Sequence, residues 1–260
     1  MSAAGRALSR VPVGLRVSLV VAAVFVWAAS GVGFSSGRLV EVPASVARML
    51  VQFFPPDLGY GREVVLGAIV ESIQIAWVGT LLGALLSLPL GLFGARNLFP
   101  RLGAWIKPLL GGVRAVPEIL LALYFVPAVG LGAFAGALAI GVHSVGMLGK
   151  LTADIVESMD TGPVEAVTAS GGGAAAVLRY SVLPQVLPEI LALWLFRFEI
   201  NVRASAVLGV VGAGGIGGVL LNTLRYRQFA PAGAVVLLTV LLVLTIDSVS
   251  GALRKRLVRV

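Results

Sequence analysis

The sequence has no cysteine, one histidine and few charges: only 12 % of its 260 residues are Asp, Glu, Lys or Arg. The missing thiols exclude disulfides and thiolate metal sites. The lone histidine, His143, cannot build a metal centre without partners. The scarcity of charge excludes more. A soluble domain carries about 25 % charged residues. A chain that is 58 % hydrophobic could not cover its own surface in water, so lipid must take that place. Acidic residues are fewer than basic ones, 12 against 20, which leaves a formal net charge of +8. The basic residues stand in short clusters between apolar runs. Membrane topology is written in this way, so no nucleic-acid partner is expected, and neither is a metal or cofactor.

Crossing the bilayer core takes about 20 apolar residues per helix. Candidate spans are Val17–Phe34, Val64–Ala95, Ala115–Val129, Ala133–Leu151, Gln185–Val211 and Pro231–Val249. The third is short and holds Pro117 and Pro127. The first follows Arg6, Arg10 and Arg16, as a signal peptide would. Its length and the weak cleavage site at Ser30–Gly33 favour an uncleaved helix. The expected fold is therefore all-α, with six transmembrane helices. Residues 1–36 form the first helix, 37–63 an extracytoplasmic connection with prolines, and 64–256 the main membrane domain. An even number of spans puts both termini on one side. That side carries thirteen Lys and Arg against five on the other, which predicts cytoplasmic termini and a cytoplasmic loop over 152–184.

That loop reads Glu165-Ala166-Val167-Thr168-Ala169-Ser170-Gly171, then, after a gap, Leu183-Pro184. The small residues suit a short helix, and Gly171 permits a sharp turn. A second short helix over about Ala174–Tyr180 can follow before Pro184 opens the next span. The pattern resembles the EAA motif of ABC-importer permeases. Glu165, Ala166, Gly171, Leu183 and Pro184 stand in register; Val167 replaces the second alanine, and Ser181 stands where isoleucine is usual. Arg114-Ala115-Val116-Pro117-Glu118, His143-Ser144-Val145-Gly146, Arg197-Phe198-Glu199-Ile200-Asn201-Val202-Arg203 and Gly212-Ala213-Gly214-Gly215-Ile216-Gly217 resemble the phosphonate-type branch of that family, over roughly residues 65–256.

The resemblance implies a type I importer permease fold and a non-catalytic subunit. It implies an ATP-binding subunit pair docked on Glu165, Ala166, Gly171, Leu183 and Pro184, an extracytoplasmic binding protein, and a second copy of the chain. Lipid surrounds the assembly. The implied cargo is phosphonate, phosphite or phosphate, with an amino acid as the alternative.

Arg197, Asn201 and Arg203 are candidate passage residues, because ionisable groups at membrane depth normally face a bundle interior or water. Arg197 and Arg203 sit about 240° apart around a helix and need not share a face. Glu199 and Arg203 are spaced i, i+4 and can pair. The same spacing suggests an interfacial Arg114–Glu118 pair. His143 is expected to bond a helix carbonyl or Ser144. The glycine run lacks the Gly-Lys-Ser/Thr ending of a phosphate loop; close packing or a re-entrant turn is expected of it. No catalytic set stands out, which argues against an intramembrane enzyme. A channel or secondary transporter would have no use for the docking loop.

Overall fold

The computed structural model describes residues 12–257. Arg6, Arg10 and Arg259 of the charge asymmetry lie outside them. The described residues are helical, with no strand among them, and form two compact units, Met1–Gln52 and Phe53–Val260.

In the first unit α1 covers Val13–Gly31, 19 residues, or about 28 Å of helix. The chain then turns through Gly33, at φ 62°. Phe34 sets its ring edge-on to Phe25 at 6.1 Å. A second helix, α2, covers Ser36–Gln52, within the stretch read from sequence as a polar connection. Leu39, Val42, Val46, Met49 and Leu50 recur there at helical spacing. Pro43 removes one rung of the hydrogen-bond ladder without ending the helix.

The second unit contains α3 (Leu58–Gly94), α4 (Pro100–Ala115), α5 (Glu118–Val129) and α6 (Ala133–Ser158). After these come α7 (Gly162–Ala169), α8 (Ala174–Val211), α9 (Ile216–Arg225) and α10 (Phe229–Leu257). Asp57 caps α3 by accepting the Tyr60 amide at 3.0 Å.

The centre of this unit is the pair α3 and α6. Ala76, Gly79, Thr80, Gly83, Ala84, Ser87 and Gly91 are buried along α3, and such small side chains let helix backbones approach closely. A Cβ on Gly79 would stand 2.6 Å from Ile140 Cγ2, one on Gly83 would overlap Ser144, and one on Gly91 would stand 2.6 Å from Thr152. Position rises along both helices together, so they run parallel and the chain between them must return across the unit.

That return is the third span. α5 alone has 12 residues, about 18 Å, against a hydrocarbon core of about 30 Å. It is one arm of a pair: α4 and α5 meet at 81°. Val116, extended at ψ 119°, precedes Pro117, which disfavours helical geometry in its predecessor. Both arms climb the same side of α6. Leu110 packs at Gly149, the Arg114 backbone lies against Gly146, and Glu118 meets His143. Among the described residues five helices are long and apolar enough to cross alone, and the bent pair, counted as one span, makes six.

Three apolar clusters are stacked along the unit. One holds Ala95, Val156, Val182, Val186 and Ile190. The next holds Ile75, Ala122, Ala139, Ile140, Leu208 and Ala213, and the last Val65, Ala68, Ile216 and Val235. Between the first two lies a polar layer. At the end carrying α7, Lys107 reaches Asp154 at 2.7 Å and Glu157 at 2.6 Å. Glu157 also accepts the Arg96 amide at 2.9 Å, and Asn97 donates to the Val156 carbonyl at 2.8 Å. These bonds fix the turn after α3 to the end of α6.

Candidate functional site

The segment expected to dock an ATPase projects from that end. Pro163 stands in the first turn of α7, where its missing N–H costs nothing. The Glu165 carboxylate is exposed, with no partner among the described residues; its amide bonds the Thr161 carbonyl at 3.0 Å. A carboxylate in a first helical turn is favoured by the helix dipole. Ala166 and Ala169 are also exposed. Gly171 takes φ 85°, the left-handed conformation that glycine adopts without strain. Its amide bonds Thr168 O at 3.0 Å, and that of Gly172 bonds Val167 O at 3.0 Å. The segment therefore offers a wall of small side chains and one free acid.

The second helix expected in this segment differs from expectation in not ending before the span. It begins at Ala174 and continues as α8, with a wider π-type turn over Leu178–Val182. Pro184 would clash with the carbonyl four residues earlier in a regular helix, and the widened turn lies directly ahead of it. Leu183 is half-buried and Pro184 exposed. Ser181, where the resemblance has isoleucine, is buried, and its hydroxyl donates to the Pro163 carbonyl at 2.8 Å. That bond ties α8 to the start of α7, so α7, the start of α8 and the span form one lever. A groove of about 540 Å³ lined by Phe93, Phe99, Thr168, Ala175 and Leu178 separates this lever from the end of α3.

The intramembrane candidates separate into two places. Arg197, 2 % exposed, lies in the polar layer. It donates to Glu118 Oε1 at 2.6 Å and, through Nε, to Ser144 Oγ at 2.9 Å. His143 Nδ1 is 2.8 Å from the guanidinium and 2.9 Å from Glu118 Oε1. Asn201, fully buried, donates to Thr80 Oγ1 at 2.8 Å and Ser144 Oγ at 3.2 Å. The layer thus links α3, α5, α6 and α8. Glu118 pairs with Arg197 and not with Arg114, because the bend at Pro117 removes the i, i+4 geometry. His143 meets the Glu118 carboxylate across the helix interface, not a helix carbonyl or its neighbour Ser144.

Arg203 points elsewhere. Its Nη2 donates to Glu199 Oε1 at 2.7 Å and to Asp247 Oδ1 at 2.8 Å. Arg254 donates to the other Glu199 oxygen at 2.9 Å and lies over the Phe196 ring at 5.1 Å. The expected Glu199–Arg203 pair is present. Asp247 and Arg254 complete it from α10, and sequence spacing gave no sign of either.

The glycine run is a tight turn between α8 and α9. Gly212, Gly214 and Gly215 have φ of 86°, 79° and 77°. The Gly132 amide donates to the Gly212 carbonyl at 2.9 Å, and the Ile216 amide donates to Ser72 Oγ at 2.9 Å. Its use is close packing.

The pattern of the family described as "Binding-protein-dependent transport system inner membrane component" matches residues 87–259, well over half of the chain. The chain belongs to this family. A phosphate-import permease protein of Mycolicibacterium smegmatis is 41 % identical over 216 residues, 81 % of this chain and 40 % of that protein. A phosphite transport system permease protein of Stutzerimonas stutzeri is 39 % identical over 213 residues, 81 % of this chain and 77 % of the relative. The chain thus spans less than half of the first relative and about three quarters of the second. Among solved structures, an inward-facing methionine ABC transporter matches 75 % of this chain and 96 % of its own, with TM-score 0.66 at 20 % identity. The family and that likeness establish the type I importer permease fold and a multi-pass inner-membrane protein.

Proposed function

We propose that this chain is the non-catalytic permease subunit of an ATP-driven importer for phosphonate or a related phosphorus oxyanion, phosphite or phosphate. The observation that carries the cargo is the similarity to phosphate- and phosphite-transport permeases across 81 % of the chain. The likeness to a methionine transporter, at 20 % identity, concerns the fold. In this reading residues 1–36 are a membrane helix, 37–63 lie outside, and 64–256 form the permease domain with its coupling loop at 152–184. Both termini are cytoplasmic. Two copies pair in lipid over two ATPase subunits, and a binding protein delivers cargo from outside.

The physical logic follows the lever. ATP binding closes the ATPase pair. Closure displaces α7 and the start of α8, which the Ser181–Pro163 bond holds together. Because α8 continues unbroken into the span, movement at its foot tilts the segment carrying Arg197, Asn201 and Arg203. Of these, the exposed Arg203 supplies donors to an anion that has left water, while Arg197 and Asn201, buried in the polar layer, hold the helices that carry it. Hydrolytic chemistry belongs to the partner.

The docking assignment is tested by crosslinking. The chain has no cysteine, so Ala169→Cys introduces a single thiol at an exposed position. Gly172 is less suitable, since a Cβ there would stand 2.6 Å from Val167. A short bifunctional reagent should join Ala169→Cys to the ATPase subunit. Labelling of that thiol only by impermeant reagents added outside the cell would overturn both the orientation and the docking role.

A further inference from the structure

We propose that Asp247 is a resting counter-ion of Arg203 that the cargo anion displaces in passing, so that this ion pair works as an exchangeable anion site. The inference rests on the phosphorus-oxyanion reading above and adds Asp247 to it.

Depth comes first. Asp247 stands ten residues before Leu257, the end of α10, or about 15 Å from it, and about 27 Å from the start at Phe229. Its partner Arg203 lies on α8, another membrane-spanning helix. Yet the Arg203 and Asp247 side chains are 45 % and 37 % exposed. Charged groups at this depth are costly against lipid and normally face a bundle interior or a watery path. The face of α8 and α10 around this pair is therefore turned away from lipid, and in this proposal it lines the passage.

The two carboxylates on Arg203 are held unequally. Glu199 is only 8 % exposed, and two arginines grip it through separate oxygens: Arg203 at Oε1 and Arg254 at Oε2. Asp247 has one partner among the described residues, Arg203 Nη2. It is the carboxylate that can leave.

Arg203 is also under-used. Both its bonds run from Nη2, which leaves Nη1 and Nε without an acceptor among the described residues. Each forms a two-donor fork only with Nη2, so the Nη2 bond that Asp247 gives up completes a pair suited to a tetrahedral oxyanion. Charge decides the order of events. Glu199 and Asp247 balance Arg203 and Arg254, so an anion added beside Arg203 makes the group net negative, whereas a singly charged anion that replaces Asp247 leaves it balanced. The carboxylate excludes weakly bound anions at rest. It also returns to Arg203 behind the cargo, which keeps the anion from resting there.

The test toggles charge on one scaffold. In the permease–ATPase complex, Asp247→Cys carries the only thiol of this chain. It is left free, capped with a neutral ethyl methanethiosulfonate, or capped with the sulfonate-bearing analogue. Equilibrium binding of radiolabelled methylphosphonate is then measured without binding protein. The free and neutral-capped forms should hold methylphosphonate about tenfold tighter than wild type, within the usual range of coupling between sites, and the sulfonate cap should return the affinity to the wild-type value. Asp247→Asn, nearly isosteric, should match the neutral-capped form and serves if the cysteine variant does not assemble. Equal affinity for all forms, or a thiol that no water-borne reagent reaches, overturns the proposal. Wild-type uptake of methylphosphonate in proteoliposomes, with binding protein and ATP, separates the two levels. If wild type transports and the charge at position 247 has no effect, only the exchange fails. If wild type moves no phosphorus oxyanion, the cargo reading falls and the exchange with it.

Discussion

Arg197→Met is expected to destabilise the folded permease by about 3 kcal/mol, the lower end of the cost of breaking a buried ion pair. Arg197 is almost fully enclosed and donates to Glu118 at 2.6 Å and to Ser144 at 2.9 Å. Removing it strands the Glu118 carboxylate in the polar layer. The lower end applies because Glu118 keeps 18 % exposure and has His143 at 2.9 Å as a second partner. The measurement is the midpoint of thermal unfolding in detergent, read as a double-mutant cycle with Glu118→Gln. The double variant should be more stable than the sum of the single losses predicts, because removing both charges leaves neither stranded. Strictly additive losses would mean that the two side chains do not support one another.

Glu165→Lys should do the opposite: leave the fold alone and disable the assembly. Glu165 is exposed, has no partner among the described residues and sits in the first turn of α7. Reversing a charge in an exposed first turn changes stability by no more than about 1 kcal/mol. If the carboxylate pairs with a basic group of the ATPase, removing it costs about 2–5 kcal/mol of association, and reversing its charge costs at least that. Titration of the ATPase onto the purified permease should show binding weakened about 100-fold, with an unchanged unfolding midpoint. Unchanged ATPase affinity would remove Glu165 from the interface.

The contrast between these residues shows what could be read in the sequence. Features carried by near neighbours in the chain were legible. The Glu199–Arg203 pair follows from i, i+4 spacing on an unbroken helix. The α7–Gly171 corner follows from small residues ahead of a glycine. The turn at Gly212–Gly215 follows from glycines, which take positive φ without strain. Features that depend on a break or on distant partners were not. Arg114 and Glu118 have pairing spacing, but Pro117 between them turns the chain by 81°, and Glu118 finds Arg197 79 positions away instead. Asp247 and Arg254 reach Arg203 and Glu199 across 44 and 55 positions, beyond any local pattern. Helix α2 was hidden for a different reason. Its amphipathic spacing is short and holds Pro43, so composition alone read as connection.

The bent third span shows how local chemistry and tertiary register combine. Proline explains why the helix stops at Ala115, and 12 residues explain why α5 cannot cross alone. Only the parallel register of α3 and α6, set by glycines that admit Ile140, Ser144 and Thr152, requires the pair to act as one crossing. The bend in turn places Glu118 beside Arg197 at the level of the polar layer.

The importer assignment is tested most directly by uptake in proteoliposomes holding this chain, its ATPase and its binding protein. The prediction is uptake of methylphosphonate or phosphite that needs both ATP inside and the loaded binding protein outside. Stimulation of ATP hydrolysis and uptake by an amino acid such as methionine, with no phosphorus oxyanion moved, would contradict the cargo assignment. Uptake independent of ATP would contradict the importer itself.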